Sequence, residues 1–343
     1  MTNTSPETVI LSRRSLLGMA AVTVAASQSG LLATAARAAS VAAGDFGPLR
    51  QIDAGPLSIG YVEMGPANGA PVILLHGWPY DIHAFAEVAP LLAKAGHRVI
   101  VPYLRGYGST VFRSVDAVRN GQQAALAFDV IALMDALKIR RVTLGGFDWG
   151  ARTADIVSAL WPDRVAGVVS VSGYLIGSQK ANAAPLPPKA ELAWWYQFYF
   201  ATERGRIGYA QNRHDFNRLI WQTASPQWHF DDATYERSAR SFDNPDHVAI
   251  VIHNYRWRLG LAEGEARYDA TEATLATAPA ITVPTITMEG DANGAPHPDP
   301  AAYRAHFTGR YEHRLITGGI GHNLPQEAPA AFADAVLAVG RMA

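Results

Sequence analysis

Between residues 71 and 171 the chain alternates short apolar, β-branched runs with longer stretches of helical period. The runs at 71–75, 98–101, 141–144 and 165–171, joined later by 285–288, show no polar alternation. That pattern fits strands buried on both faces of a sheet, and the helical periods at 122–137 and 151–161 fall between them. An α/β fold with a doubly wound, mostly parallel sheet is therefore predicted. Two earlier segments, 49–53 and 57–63, flank Ala54-Gly55-Pro56 and predict an antiparallel edge hairpin.

The alternation stops after Gly173, and 181–188 (ANAAPLPP) reads as a linker. From 189 to about 262 the periods are helical, with start signals at Asp231-Asp232 ahead of 233–241 and at Asn244-Pro245-Asp246 ahead of 247–259. Strand character returns only at Thr285, so an inserted helical cap is expected over 179–272. It divides a core whose parts are 39–178 and 273–343, the second beginning a strand near Ile281.

The N-terminus reads differently. Ser12-Arg13-Arg14-Ser15-Leu16-Leu17 precedes an alanine-rich apolar run ending at Ala36-Arg37-Ala38. This resembles a twin-arginine export signal with an A-x-A-like cleavage site, so residues 1–38 are expected to be removed after passage through the twin-arginine machinery to the periplasm or the medium. Ser27, Gln28, Ser29 and Thr34 dilute the run, and stable membrane anchoring is not expected.

Across the whole chain, 343 residues with 29 Lys+Arg against 30 Asp+Glu give a net charge of -1. Such a balance offers no general attraction to nucleic acid or an anionic surface and suits a small neutral or apolar substrate. The absence of cysteine excludes disulfides, thiolate metal sites and a cysteine nucleophile. Neither a His-Glu-x-x-His pattern nor a Gly-rich dinucleotide turn occurs in a suitable context, and no metal or other cofactor is expected.

The chemistry centres on Gly146-Phe147-Asp148-Trp149-Gly150, between a strand and a helix. That setting is the nucleophile elbow of hydrolases, with a carboxylate where a serine usually stands. An Asp there can also be no more than a helix N-cap. A carboxylate nucleophile makes sense when the target is a saturated carbon: a serine would leave an inert ether, whereas Asp148 leaves an ester whose carbonyl water can attack. That second step needs a base and oxyanion donors. His322, in Gly321-His322-Asn323 before the closing helix, follows the nucleophile in the hydrolase chain order. The donors would be the backbone N–H groups of Trp149 and of Trp78 in His76-Gly77-Trp78-Pro79, with His76 itself reading as a packing residue.

With these motifs together the chain resembles α/β-hydrolases of the epoxide hydrolase and haloalkane dehalogenase branch. The resemblance also draws on Arg105-Gly106-Tyr107-Gly108 and the inserted cap. It implies an α/β-hydrolase core, and for epoxide hydrolases two cap tyrosines that donate to the opening oxygen. Trp195-Tyr196 and Asn254-Tyr255 are similar to those two motifs, giving Tyr196 and Tyr255 that role. Haloalkane dehalogenases carry an asparagine where this chain has Trp78. Fluoroacetate dehalogenases are similar at Arg152, but hold arginine at the position of Trp149 and histidine at that of Tyr196, so a carboxylate pocket does not follow.

The position of the family's third triad acid, in Glu289-Gly290-Asp291-Ala292-Asn293, is filled by Asn293. An asparagine orients an imidazole without stabilising its charge. Three readings stay open: Asp291 substitutes, the second half-reaction is slow, or Asn293 is an engineered change. The expected activity is epoxide hydrolysis to a vicinal diol. The alternatives are a haloalkane or haloacid dehalogenase, or a weakened binding protein on a hydrolase scaffold.

Overall fold

The structure, a computed structural model, describes residues 46–342; the expected export signal lies outside the described residues. Nine strands form one sheet in the order β1-β2-β4-β3-β6-β7-β8-β9, with β5 on β2. They are β1 (Arg50–Ala54), β2 (Leu57–Met64), β3 (Pro71–Leu75), β4 (Arg98–Pro102), β5 (Val111–Phe112), β6 (Val142–Gly146), β7 (Val165–Val171), β8 (Thr285–Gly290) and β9 (Tyr311–Ile316). Pairing is parallel from β4 through β3, β6, β7 and β8 to β9, while β1 and β2 form the antiparallel hairpin at the other edge.

The residues of β6 and β8 are buried throughout, because helices cover both faces of the sheet. Gln123–Ala136 packs beside Trp149–Leu160, and Val88–Lys94 beside Pro329–Arg341. The edge strand β9 has no fully buried residue, as an edge with one solvated side requires.

Register decides which loops become neighbours. Leu75 of β3 lies opposite Gly146 of β6, so the loop beginning at His76 and the elbow beginning at Phe147 leave the sheet side by side. At the far side Gly290 of β8 faces Ile316 of β9, which brings the loop carrying Asn293 next to the one carrying His322.

Between β7 and β8 the chain is helical. Trp195–Ala201, Glu203–Ala224 and His247–Arg258 pack on one another. The start signal at Asp231 works as read: its side chain accepts from Thr234 N–H and caps Asp232–Ala239. Asp246 behaves otherwise. It makes no cap bond at the head of His247–Arg258 and instead takes Arg119 Nε at 2.9 Å. The segment read as a linker contains the end of a short helix, Gln179–Asn182, capped by Ser178, and Pro188–Ala193 follows. The last helix before β8 ends at Leu275, and Ile281 makes only an isolated bridge to Phe307, so the strand starts later than its apolar residues suggest.

Candidate active site

The elbow is built by glycines that let backbones touch. A Cβ on Gly150 would lie 1.9 Å from the Leu75 carbonyl, and one on Gly146 would lie 2.5 Å from the Gly150 carbonyl carbon. The tight turn leaves Asp148 at φ 53 and ψ -121, a conformation that costs an L-residue energy and that the surrounding structure must hold. Its side chain caps nothing in the helix Trp149–Leu160, so the N-cap alternative fails.

The carboxylate is held from both sides. Trp78 N–H donates to Oδ1 at 2.8 Å, and Nε2 of His322 stands 3.5 Å from Oδ2. Gly77 must be glycine for this approach, since a Cβ there would lie 2.4 Å from the Asp148 Cβ. Trp149 opens the helix, where backbone N–H groups have no acceptor within the helix, so its N–H sits at the same free terminus. Burial alone would raise the Asp148 pKa, but the hydrogen bond and charge of His322, the Arg152 guanidinium and the Trp78 N–H outweigh it. The net effect is a carboxyl below its ordinary range, ionised and nucleophilic at neutral pH.

Around Trp78 the cap supplies an aromatic wall. Tyr196 and Tyr255 lie 5.0 and 5.2 Å from the Trp78 ring, and their own rings meet edge-on at 5.4 Å. Burial, with the neighbouring Asp148 charge, raises both phenol pKa values above the ordinary tyrosine range. Both are hydrogen-bond donors at neutral pH. Tyr199, the neighbouring candidate in sequence, stacks on Phe216 and is not part of the cavity wall.

These groups line one cavity of about 500 Å3, shared by Asp148, His322, Trp78, Tyr196 and Tyr255. Its size is that of a small-molecule site. His76 is outside it: its Nε2 accepts from Leu104 N–H, its Nδ1–H donates to the Gly77 carbonyl, and burial lowers its pKa to about 4, so it is a neutral support for its loop.

Neither candidate for the third triad position reaches His322. Asn293 donates its amide to Glu289 Oε1 at 2.8 Å and accepts from Ala295 N–H, which uses both ends of the group. Asp291 is bound to the backbone N–H groups of Gly318, Gly319 and Ile320 at 2.9, 2.9 and 3.0 Å, a loop anchor. Nδ1 of His322 is buried without a partner. Asn293 as the residue that orients the imidazole is therefore not what this geometry contains.

The sequence reading missed how the histidine loop is held. Ser225, at the end of Glu203–Ala224 in the cap, accepts from His322 N–H at 2.9 Å and donates to Glu327 at 2.7 Å. Glu327 also takes Gly321 N–H and Asn323 N–H. A Cβ on Gly321 would meet Ser225 Oγ at 2.5 Å. Neither residue sits in a recognisable pattern, because the contact joins positions 102 apart in sequence.

The family profile for the alpha/beta hydrolase fold matches residues 70–238. Among characterised relatives, Epoxide hydrolase B of Mycobacterium tuberculosis is 38% identical over 153 residues, 41% of this chain. The match spans only 42% of that relative's length. Haloalkane dehalogenase 1 of Mycobacterium bovis is 30% identical over 60% of this chain and 68% of its own. Among solved structures, a protein of Klebsiella pneumoniae subsp. pneumoniae, named provisionally as an epoxide hydrolase, is 65% identical with a TM-score of 0.86. That similarity covers 88% of this chain and 99% of the other. With the elbow, the sheet order and these similarities together, the chain belongs to the α/β-hydrolase family, with epoxide hydrolases and haloalkane dehalogenases among its relatives.

Proposed function

We propose that this protein is an epoxide hydrolase acting on a small organic substrate. The observation that carries the reading is the division of the Asp148 carboxylate. One oxygen is held by the Trp78 N–H, and the other faces His322 in a cavity that two protonated cap phenols also line.

In the first step Oδ2 of Asp148 attacks an epoxide carbon, the ring C–O bond breaks, and the departing oxygen takes a proton from Tyr196 or Tyr255. This leaves an ester on Asp148 and a phenolate in the cap. Oδ1 becomes the ester carbonyl. His322 then takes a proton from water, whose oxygen attacks the Asp148 carbonyl carbon, and the charge gathering on Oδ1 meets the N–H groups of Trp78 and Trp149. Collapse expels the diol as an alkoxide that takes the proton held by His322, and the proton left on the Asp148 carboxyl returns to the phenolate.

A halide would find less here. The Trp78 indole N–H is already given to Tyr209 Oη at 3.0 Å, while the Trp149 indole nitrogen is buried without a partner. Of the two donors that would clamp a leaving halide, the one at Trp78 is thus occupied.

The decisive experiment is intact-mass analysis of His322→Ala after incubation with an epoxide. An adduct equal to the substrate mass, absent in Asp148→Asn, is expected. Diol formed with no such adduct, or label from heavy-oxygen water entering only the product in a single turnover, would overturn the reading. Arg13-Arg14 and Ala36-Arg37-Ala38 support export through the twin-arginine route to the periplasm or medium. Replacing both arginines by lysine should leave the enzyme in the cytoplasmic fraction.

A further inference from the structure

We infer that the epoxide this enzyme prefers carries a carboxylate, held by Arg152 from the core and Arg258 from the cap. The inference rests on the proposed reaction at Asp148 and names its substrate class. It departs from the neutral substrate that the overall charge of -1 suggested.

Local charge differs from the total. The ionisable side chains lining the cavity besides His322 and three tyrosines are Asp148, Arg152, Arg258 and Lys189, so three cations surround one carboxylate. Arg152 follows Asp148 by one turn of the same helix, and Arg258 follows Tyr255 in the same way. The two guanidinium groups thus flank the nucleophile on one side and a phenol on the other.

Neither forms an ion pair among the described residues, though the Asp148 charge acts on Arg152. Arg152 makes no side-chain hydrogen bond or ion pair there, although it is half-buried. Arg258 lies over the rings of Trp194 and Tyr255, at 5.5 and 5.7 Å, a placement that orients it and leaves its N–H groups unspent. The contrast is Arg105, which is buried and grips both oxygens of Asp129 at 2.6 and 2.7 Å. Arg256, on the same helix as Arg258, donates to the carbonyls of Phe200 and Thr202. Arg105 and Arg256, outside the cavity, are satisfied in this way; Arg152 and Arg258, inside it, are not.

Two nearby acids bond to other groups, Asp155 through one oxygen only. Glu272 accepts from Gln122, Gln123 and the Ala124 N–H, and Asp155 accepts from the Leu175 N–H. Burial and then the charge of Arg258 lower the Arg152 pKa to about 10, which still leaves it a cation at neutral pH. A carboxylate on the substrate would relieve that repulsion and use the guanidinium donors in charge-assisted hydrogen bonds. It would also hold the epoxide carbon against a nucleophile that would otherwise repel an anion.

The test compares 3-phenyloxirane-2-carboxylate with its primary amide, which keeps the shape and loses the charge. kcat/KM is expected to favour the carboxylate by about tenfold or more, mainly through KM, with the preference shrinking as salt rises. In Arg152→Gln and Arg258→Gln the ratio between the two substrates should fall toward one, and Arg152→Lys should retain part of it. Equilibrium binding of 3-phenylpropanoate and its amide to Asp148→Asn gives a readout free of turnover. Equal binding of the two, or equal turnover with a ratio unmoved in the arginine variants, overturns this inference while epoxide hydrolysis stands. Selective binding of the carboxylate with no turnover of either epoxide supports the anion site and removes the proposed reaction.

Discussion

Asn293 gives its side-chain amide to Glu289 at 2.8 Å, while the buried Nδ1 of His322, the atom a triad acid would hold, has no partner. In the proposed reaction Asp148, the nucleophile, is well supported and His322, the base, is not. Attack by Asp148 needs only an ionised carboxylate and a phenol; ester hydrolysis needs an imidazole that can become positive. The energetic weakness therefore falls on the second half-reaction.

Wild-type protein mixed with an epoxide should accumulate the Asp148 ester, visible as a burst in rapid-quench intact-mass measurements. Asn293→Asp should speed its hydrolysis by about tenfold or more, since removing the acid from an analogous triad costs orders of magnitude. The new carboxylate would meet Glu289, and two carboxylates in contact tend to share a proton. Asn293→Asp combined with Glu289→Gln should consequently hydrolyse the ester faster than Asn293→Asp alone. A double variant no faster than the parent would show that loop position, and not charge, limits the step.

Replacing Tyr196 or Tyr255 by Phe removes one donor to the ring oxygen. Each change should lower the alkylation rate with an epoxide by about a hundredfold, and the pair by more. The loss should be much smaller with an alkyl bromide, whose leaving group needs no proton. Equal losses for both substrates would assign the tyrosines to packing.

Ser225→Ala tests the brace between cap and histidine loop. It leaves Glu327 and the His322 N–H each short of a partner in a buried setting. The loss should be about 1–3 kcal/mol of stability, read by thermal or denaturant unfolding. kcat should fall with it, because the backbone at His322 loses its fixed position.

Asp155 predicts a pH dependence. Burial raises its pKa from 3.8 to about 8, its Oδ2 takes only the Leu175 N–H, and its Oδ1 has no partner. Between those two values the folded protein binds a proton that the unfolded chain has lost. The contribution is thus fully present below the unfolded pKa and is lost as pH rises through the folded one. Asp155→Asn mimics the protonated carboxyl and should gain stability relative to wild type as pH climbs from about 4 to about 8. Parallel melting-temperature curves over that range would refute the raised pKa.

Much of the fold could be read from the residues in order. The buried strands announced themselves as unbroken apolar runs, and the elbow by glycines whose absent side chains permit the contacts of Leu75 with Gly150. Differences gathered where local pattern and tertiary use part company. The helix His247–Arg258 starts where 244–246 signals it, but the Asp246 side chain makes no cap bond and finds Arg119, 127 positions away. Ile281 and Val283 have strand composition, yet only a single bridge forms before Thr285.

The sequence by itself determined the parallel sheet and the elbow that carries Asp148, because each depends on residues within a few positions of one another. Tertiary structure alone decided the partners of the reactive groups. Asn293 could have faced His322 or Glu289, and Arg152 could have met an acid or an open cavity; the packing of loops from distant strands and the cap chose in both cases. Hydrogen bonds and charge pairs are fixed by distance in space, and separation along the chain does not reveal it.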